Sequence, residues 1–199
     1  MEIVLATRNE GKIKEIKRIV GRLPISILTI DDFPGCPEVV EEGVTFQENA
    51  IKKAMAVAQY TGKPSLADDS GLEVYALNNA PGIFSSRYAG EGADDGKNRE
   101  KLLYEMRSLS DEERKARFVC CLALAFPDGG IEIFRGHVEG GIGREPKGSH
   151  GFGYDPLFYP KGHDRTFAEM EAREKDSLSH RGKALMEFQK YLNSGKFFK

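Results

Sequence analysis

Two long segments, the apolar run Ala116–Phe126 and Ile131–Ile142, flank the turn Asp128-Gly129-Gly130. An aspartate followed by paired glycines admits the positive φ of a tight turn, so the runs predict a long β-hairpin in the middle of the chain. A hairpin of that length needs further strands and helices to cover it. Ile3–Ala6 reads as a short strand, and after the polar loop Thr7–Lys12, Ile13, Ile16, Ile19 and Val20 recur at helical spacing. Ile25–Ile30 suits a second strand, and Asp31–Gly43, with Pro34 and Pro37, a loop. Thr45-Phe46-Gln47-Glu48 is a capping-box sequence opening a helix to about Tyr60, with Ala50, Ala54, Val57 and Ala58 on its buried face. Leu72–Leu77 either pairs with a strand over 65–68 or continues beyond a turn that follows it. Asn78–Gly96 is irregular, Lys97–Met106 helical and Arg144–Pro156 a glycine-rich loop. Ser177 or Ser179 starts a last helix that turns Ala184, Leu185, Phe188 and Leu192 inward. This order predicts an α/β or α+β fold with a mixed sheet, in which the hairpin can form or extend a second lobe; a cleft between lobes is a common place for a small-molecule site.

A chain of 199 residues with 40% hydrophobic and 30% charged residues is expected to form a single domain over 1–199, with no separable linker. Its net charge of -2 argues against a general nucleic-acid or membrane surface, but leaves room for a local basic pocket. No run approaches the roughly 18 apolar residues of a membrane span, and Met1–Leu5 is too short and acidic for a signal peptide. Cys36, Cys120 and Cys121 are odd in number and form no C-x-x-C, and the four histidines lack metal-ligand spacing. A reduced, cytoplasmic protein is the expectation.

Candidate chemistry gathers in four places. In Leu66-Ala67-Asp68-Asp69-Ser70-Gly71, adjacent carboxylates end an apolar strand, before a glycine that allows a sharp turn. Strand alternation sends Asp68 and Asp69 to opposite sides, so one can face a cleft and hold Mg²⁺ beside a phosphate while the other braces the backbone. An Asx-type turn in which both only cap backbone groups is the plainer alternative. Thr7–Lys12 leads from strand to helix, where free N–H groups and Lys12 suit a phosphate. It is not a P-loop, because Ala6 and Ile13 stand where glycine and a hydroxyl residue are needed; an ordinary helix cap with a solvated lysine also fits. Glu41 is a further metal-side candidate, Glu42 reads as a surface acid, and Lys53 lies on the helix with Lys52 pointing elsewhere. Glycines around Phe152 can expose an aromatic face to a nucleobase or tuck it into the core, and Asp155 can accept base N–H groups. Lys175, His180 and Arg181 form a basic group near a helix start, where Arg181 can fork onto a purine O6/N7 edge or stay solvated.

Taken together, Thr7–Lys12, Glu41–Ala50, Ala67–Leu72, Pro81–Tyr88, Gly151–Pro156 and Ser179–Gly182 resemble the inosine triphosphate pyrophosphatase family, in one order along most of the chain. The resemblance implies two lobes around a long twisted mixed sheet with a central cleft, and a homodimer. It implies hydrolysis of non-standard purine nucleoside triphosphates (ITP, dITP, XTP) to monophosphate and pyrophosphate with Mg²⁺, which cleanses the nucleotide pool. By the same likeness Thr7, Arg8, Asn9, Glu10, Gly11, Lys12, Lys53 and Lys175 hold the triphosphate. Glu41 and Asp69 are the magnesium-side carboxylates, and Asp69 is also a proton acceptor. Ser70, Phe152, Gly153, Tyr154, Asp155, His180 and Arg181 contact substrate. A pyrophosphatase for ordinary or pyrimidine nucleotides and a non-catalytic nucleotide sensor are the competing readings.

Base choice has a physical basis. Donors aimed at the 6-oxo group of hypoxanthine or xanthine would face the 6-amino group of adenine and stay unpaired, a mismatch worth about 10⁴-fold. Arg181→Ala is therefore expected to lose the preference for ITP over ATP in kcat/KM; an unchanged ratio would remove Arg181 from base recognition.

Overall fold

A computed structural model describes residues 2–21 and 23–195. Among these, six strands form one sheet in the order β2-β1-β3-β4-β5-β6. They are β1 (Glu2–Leu5), β2 (Ser26–Thr29), β3 (Ser65–Val74), β4 (Lys115–Ala125), β5 (Ile131–Ile142) and β6 (Phe158–Pro160). The helices are α1 (Glu10–Val20), α2 (Phe46–Thr61), α3 (Asp95–Glu105), α4 (Ala172–Leu178) and α5 (His180–Asn193). β1 runs parallel to β2 and β3, whereas β5 and β6 are antiparallel, so the sheet is mixed as expected. The hairpin closes with Phe126 N–H on Gly130 O at 2.8 Å, and Gly129 supplies the positive φ of 96°. No described helix is long and apolar enough to cross a membrane.

The chain divides into two compact units, with boundaries inside β3, β4 and β5. The first takes in Met1–Asp69, Cys120–Gly136 and Arg181–Lys199. Its sheet residues alternate with period two. Ile3, Leu5, Leu66, Cys120, Leu122 and Leu124 share a core with Ile16 and Val20 of α1 and Leu185 and Phe188 of α5. Val4, Ala6, Ala67, Cys121, Ala123 and Ala125 share another with Ala50, Ala54, Val57 and Ala58 of α2. Large side chains separate α1 and α5 from the sheet, while alanine against alanine lets α2 lie close to it. The second unit, Ser70–Val119 with His137–His180, has its own core around Leu72, Leu102, Phe118, Leu157, Phe158 and Phe167.

Two local expectations are corrected. No turn interrupts Asp68-Asp69-Ser70-Gly71: β3 is one strand of 10 residues, and Gly71 is absent from the positive-φ glycines. β3 has a hydrogen-bonded neighbour on each side, and that pairing outweighs the local preference of Asp, Ser and Gly for turns. The last helix, α5, starts at His180 directly after the expected Ser179, and the correction falls on Ser177, which lies inside a separate helix, α4, ending at Leu178. The capping box of α2 is half reciprocal: Thr45 Oγ1 accepts Glu48 N–H, but Glu48 Oε2 accepts the N–H of Val44 rather than of Thr45.

Adjacent glycines of β5 offer a packing test. A Cβ on Gly140 would lie 2.2 Å from Tyr159 O, and one on Gly141 no closer than 3.4 Å to Arg114 O. Gly140→Ala is expected to cost about 1–3 kcal/mol in urea unfolding and Gly141→Ala less than about 0.5 kcal/mol.

Candidate active site

The first unit carries a buried cluster of charges around Asp68 and Asp69. Asn9 caps α1 by accepting Lys12 N–H at 3.0 Å, and Thr7 Oγ1 accepts Asn9 N–H at 3.1 Å. This cap aims Lys12 across to β3, where its Nζ lies 2.7 Å from Asp68 Oδ1 and 3.3 Å from Asp68 O. Arg181, at the start of α5, reaches the other oxygen, with Nε 2.8 Å from Asp68 Oδ2. Its Nη1 donates to Glu15, which lies one turn beyond Lys12 on α1. The Cys120 thiol donates to Asp68 Oδ2 at 3.2 Å. Burial alone would raise the Asp68 pKa, but Arg181 and Lys12 together hold it well below the usual carboxylate range. Asp68 is thus a fixed anion that braces three elements.

Asp69 faces the opposite side of β3. Lys53 Nζ, from α2, lies 3.1 Å from Asp69 Oδ1, 2.6 Å from Glu41 Oε1 and 2.9 Å from Asp68 O. Burial pushes the Asp69 pKa up, against the downward pull of Lys53 and Lys12. Asp69 Oδ2 is buried and has no hydrogen-bond partner among the described residues. The pKa of Lys53 would fall on burial, but Asp69 and Glu41 hold it above its ordinary value, so it stays charged. Two carboxylates converging on one lysine, one of them with an orphaned oxygen, form a donor set that fits Mg²⁺, which takes one or two carboxylates and completes its shell with phosphate oxygens and water. No group of three or more His, Cys, Asp or Glu suited to a metal occurs among the described residues.

Other members of the Thr7–Lys12 segment have partners away from the aspartates. Glu10 pairs with Lys14 at 3.3 Å, both exposed, and Arg8 Nη2 donates to Cys36 O at 3.4 Å. Gly11 lies in the first turn of α1. Glu42 pairs with Lys52 at 3.3 Å on the surface, as expected.

The second unit gathers the aromatic and basic candidates. Ser70 is half-buried in β3. Asp155 is 2% exposed; its Oδ2 accepts Phe152 N–H at 2.9 Å and the Lys175 ammonium. That ammonium lies 5.1 Å from the centre of the Phe152 ring, within cation–π range. A Cβ on Gly151, at φ 74°, would fall 2.0 Å from Asp155 Oδ2, so only glycine permits this loop. Gly153 is tied through its N–H to Asp95 at 2.6 Å and through its carbonyl to Arg99 at 2.8 Å. Tyr154 is a core residue, with its hydroxyl donating to Ser85 O at 2.9 Å. His180 stacks on Phe118 with ring centres 4.6 Å apart.

Sequence reasoning missed Glu15 and the Cys120 thiol. Glu15 is 5% exposed, and a carboxylate so buried requires a cation, but that burial appears only in the fold; in the sequence Glu15 is one more charge of α1. The contact of Cys120 with Asp68 leaves no sequence signal at all.

The Ham1 family model matches residues 3–191. This chain belongs to the Ham1 family. It is 50% identical to the dITP/XTP pyrophosphatase of Desulforamulus reducens, over 97% of this chain and 96% of that one. It is 54% identical to a dITP/XTP pyrophosphatase of Thermus thermophilus, over 93% and 88%. A HAM1 protein from Coxiella burnetii superposes with a TM-score of 0.89 at 45% identity, covering 98% of this chain and 99% of that one. The Ham1 protein of Staphylococcus aureus gives 0.87 at 42%, covering 98% and 100%.

In this Ham1 chain Arg181 has a task that the sequence did not reveal, because it separates two buried carboxylates. Arg181→Ala leaves Glu15 and Asp68 facing each other and is expected to destabilise the fold by about 3–5 kcal/mol in thermal or urea denaturation, with Arg181→Lys less affected. The base-preference ratio is therefore best read on the lysine variant as well.

Proposed function

We propose that this protein hydrolyses non-standard purine nucleoside triphosphates of the dITP, ITP and XTP kind to the monophosphate and pyrophosphate. The carrying observation is the convergence of Lys12 and Lys53 on the carbonyl of Asp68, beside Asp69 and its unpartnered oxygen. A triphosphate carries about four negative charges near neutral pH, and two lysines at one point offset part of that charge before a nucleophile approaches. In this reading Thr7, Arg8, Asn9, Glu10, Gly11 and Lys12 form the phosphate segment, with Lys53 and Lys175 as further cations. Ser70, Phe152, Gly153, Tyr154, Asp155, His180 and Arg181 belong to substrate recognition.

Glu41 and Asp69 would hold Mg²⁺, which supplies charge neutralisation on the phosphate oxygens when bound. Asp69 orients a water molecule toward the α-phosphorus and takes its proton. The water oxygen forms the new bond to phosphorus, the bond to the β-phosphate bridging oxygen breaks, and pyrophosphate leaves. We further propose a homodimer working on the cytoplasmic nucleotide pool.

The test is an incubation of the purified protein with Mg²⁺ and ITP, XTP, dITP, ATP or GTP, with products resolved by ion exchange. Monophosphate and pyrophosphate from ITP, XTP and dITP, with ATP and GTP largely spared, is the expected result. Diphosphate and phosphate would refute the bond cleaved, and equal use of ATP would refute the base choice. Asp69→Asn is expected to lower kcat by two or more orders of magnitude while nucleotide binding, followed by calorimetry, persists. Near-normal turnover would remove Asp69 from the chemistry.

A further inference from the structure

α2 does more than present Lys53. Asn49 lies four residues earlier, on the same helical face, and is fully buried. Its Oδ1 accepts the N–H of Gly43 at 2.8 Å. Gly43 is two residues from Glu41, whose carboxylate sits on Lys53. The neighbouring N–H of Val44 goes to Glu48 Oε2 at 2.9 Å, and farther back Tyr60 donates to Pro34 O at 2.8 Å. One helix therefore ties down both ends of the segment that delivers Glu41.

Two further observations separate Asn49 from an ordinary packing residue. Its Nδ2 is buried without a hydrogen-bond partner among the described residues, a cost that an apolar side chain would avoid on a face where Ala50, Ala54, Val57 and Ala58 are also buried. The partner position also admits no side chain: a Cβ on Gly43 would lie 2.6 Å from Asn49 Oδ1. An aspartate would accept the same N–H but would add a buried negative charge to a site that already holds Glu41, Asp68 and Asp69. A neutral amide is the side chain that clamps this backbone without changing the charge.

We propose that Asn49 is a positioning residue for Glu41, acting through the Gly43 clamp; this rests on the functional reading above. Asn49 touches no reacting atom. It sets where the Glu41 carboxylate stands relative to Lys53 and Asp69.

The experiment combines hydrogen exchange at the Gly43 amide with a double-mutant cycle on ITP hydrolysis. Asn49→Ala is expected to speed Gly43 exchange tenfold or more and to lower kcat about 10- to 100-fold, with KM changed less than about threefold. In a Glu41→Ala background the same substitution is expected to change kcat less than about twofold. Unaltered Gly43 exchange would overturn the clamp. Losses that multiply in the Glu41→Ala background would overturn action through Glu41. Should Asn49→Ala fail to fold by circular dichroism, Gly43→Ala breaks the same bond from its other side and enters the same cycle. Exchange needs no turnover, so an inactive wild type with a responsive amide counts against the activity. An active wild type with an unresponsive amide counts against the clamp.

Discussion

Asp68 is the charge on which the first unit depends. A buried carboxylate is costly unless cations and hydrogen bonds replace its water, and here Lys12, Arg181 and Cys120 do so from α1, α5 and β4. Arg181 is itself buried, and Glu15 supplies its second counter-charge. Each partner is tolerable in the interior only because the others are present, so α1, β3 and α5 are fixed in one arrangement. Placing Lys12 is a consequence, because the ion pair that relieves Asp68 is also what points the Lys12 ammonium at the Asp68 carbonyl.

β3 then gives two adjacent, chemically identical side chains different tasks. Alternation along an extended backbone puts Asp68 among the cations of α1 and α5 and Asp69 beside Lys53 and Glu41. One carboxyl is held ionised far below its usual range; the other is raised by burial. The small residues on the α2 side matter equally: alanines on both surfaces bring that helix close enough for Lys53 to reach Asp69. Larger side chains on that face would lift Lys53 off the site.

The second unit solves a similar problem with other means. Asp155 is buried inside a glycine-rich loop and is satisfied by that loop's own backbone and by Lys175, which also lies over Phe152. The glycines are required by space around the carboxylate, most tightly at Gly151. The loop is therefore shaped from within, and Phe152, Tyr154 and Asp155 hold defined positions instead of sampling a flexible turn.

What the sequence determined by itself was everything carried by short-range pattern. The hairpin turn at Asp128–Gly130 follows from its turn residues, and the helical spacing in α1, the alanine face of α2, the inward set of α5 and the opposite facing of Asp68 and Asp69 follow from periodicities of two and 3.6. The motifs that resemble a known family marked Lys12, Glu41, Lys53 and Asp69, and the fold brings these four together. Tertiary structure alone decided that β3 runs straight through its aspartates, since sheet neighbours outweigh turn propensity. It alone decided that Arg181 lies between Glu15 and Asp68, 166 and 113 residues away in the chain. No local pattern encodes which distant carboxylate a buried cation will meet; the cost of leaving charge unpaired in the interior makes the match, and it acts only once the chain is folded.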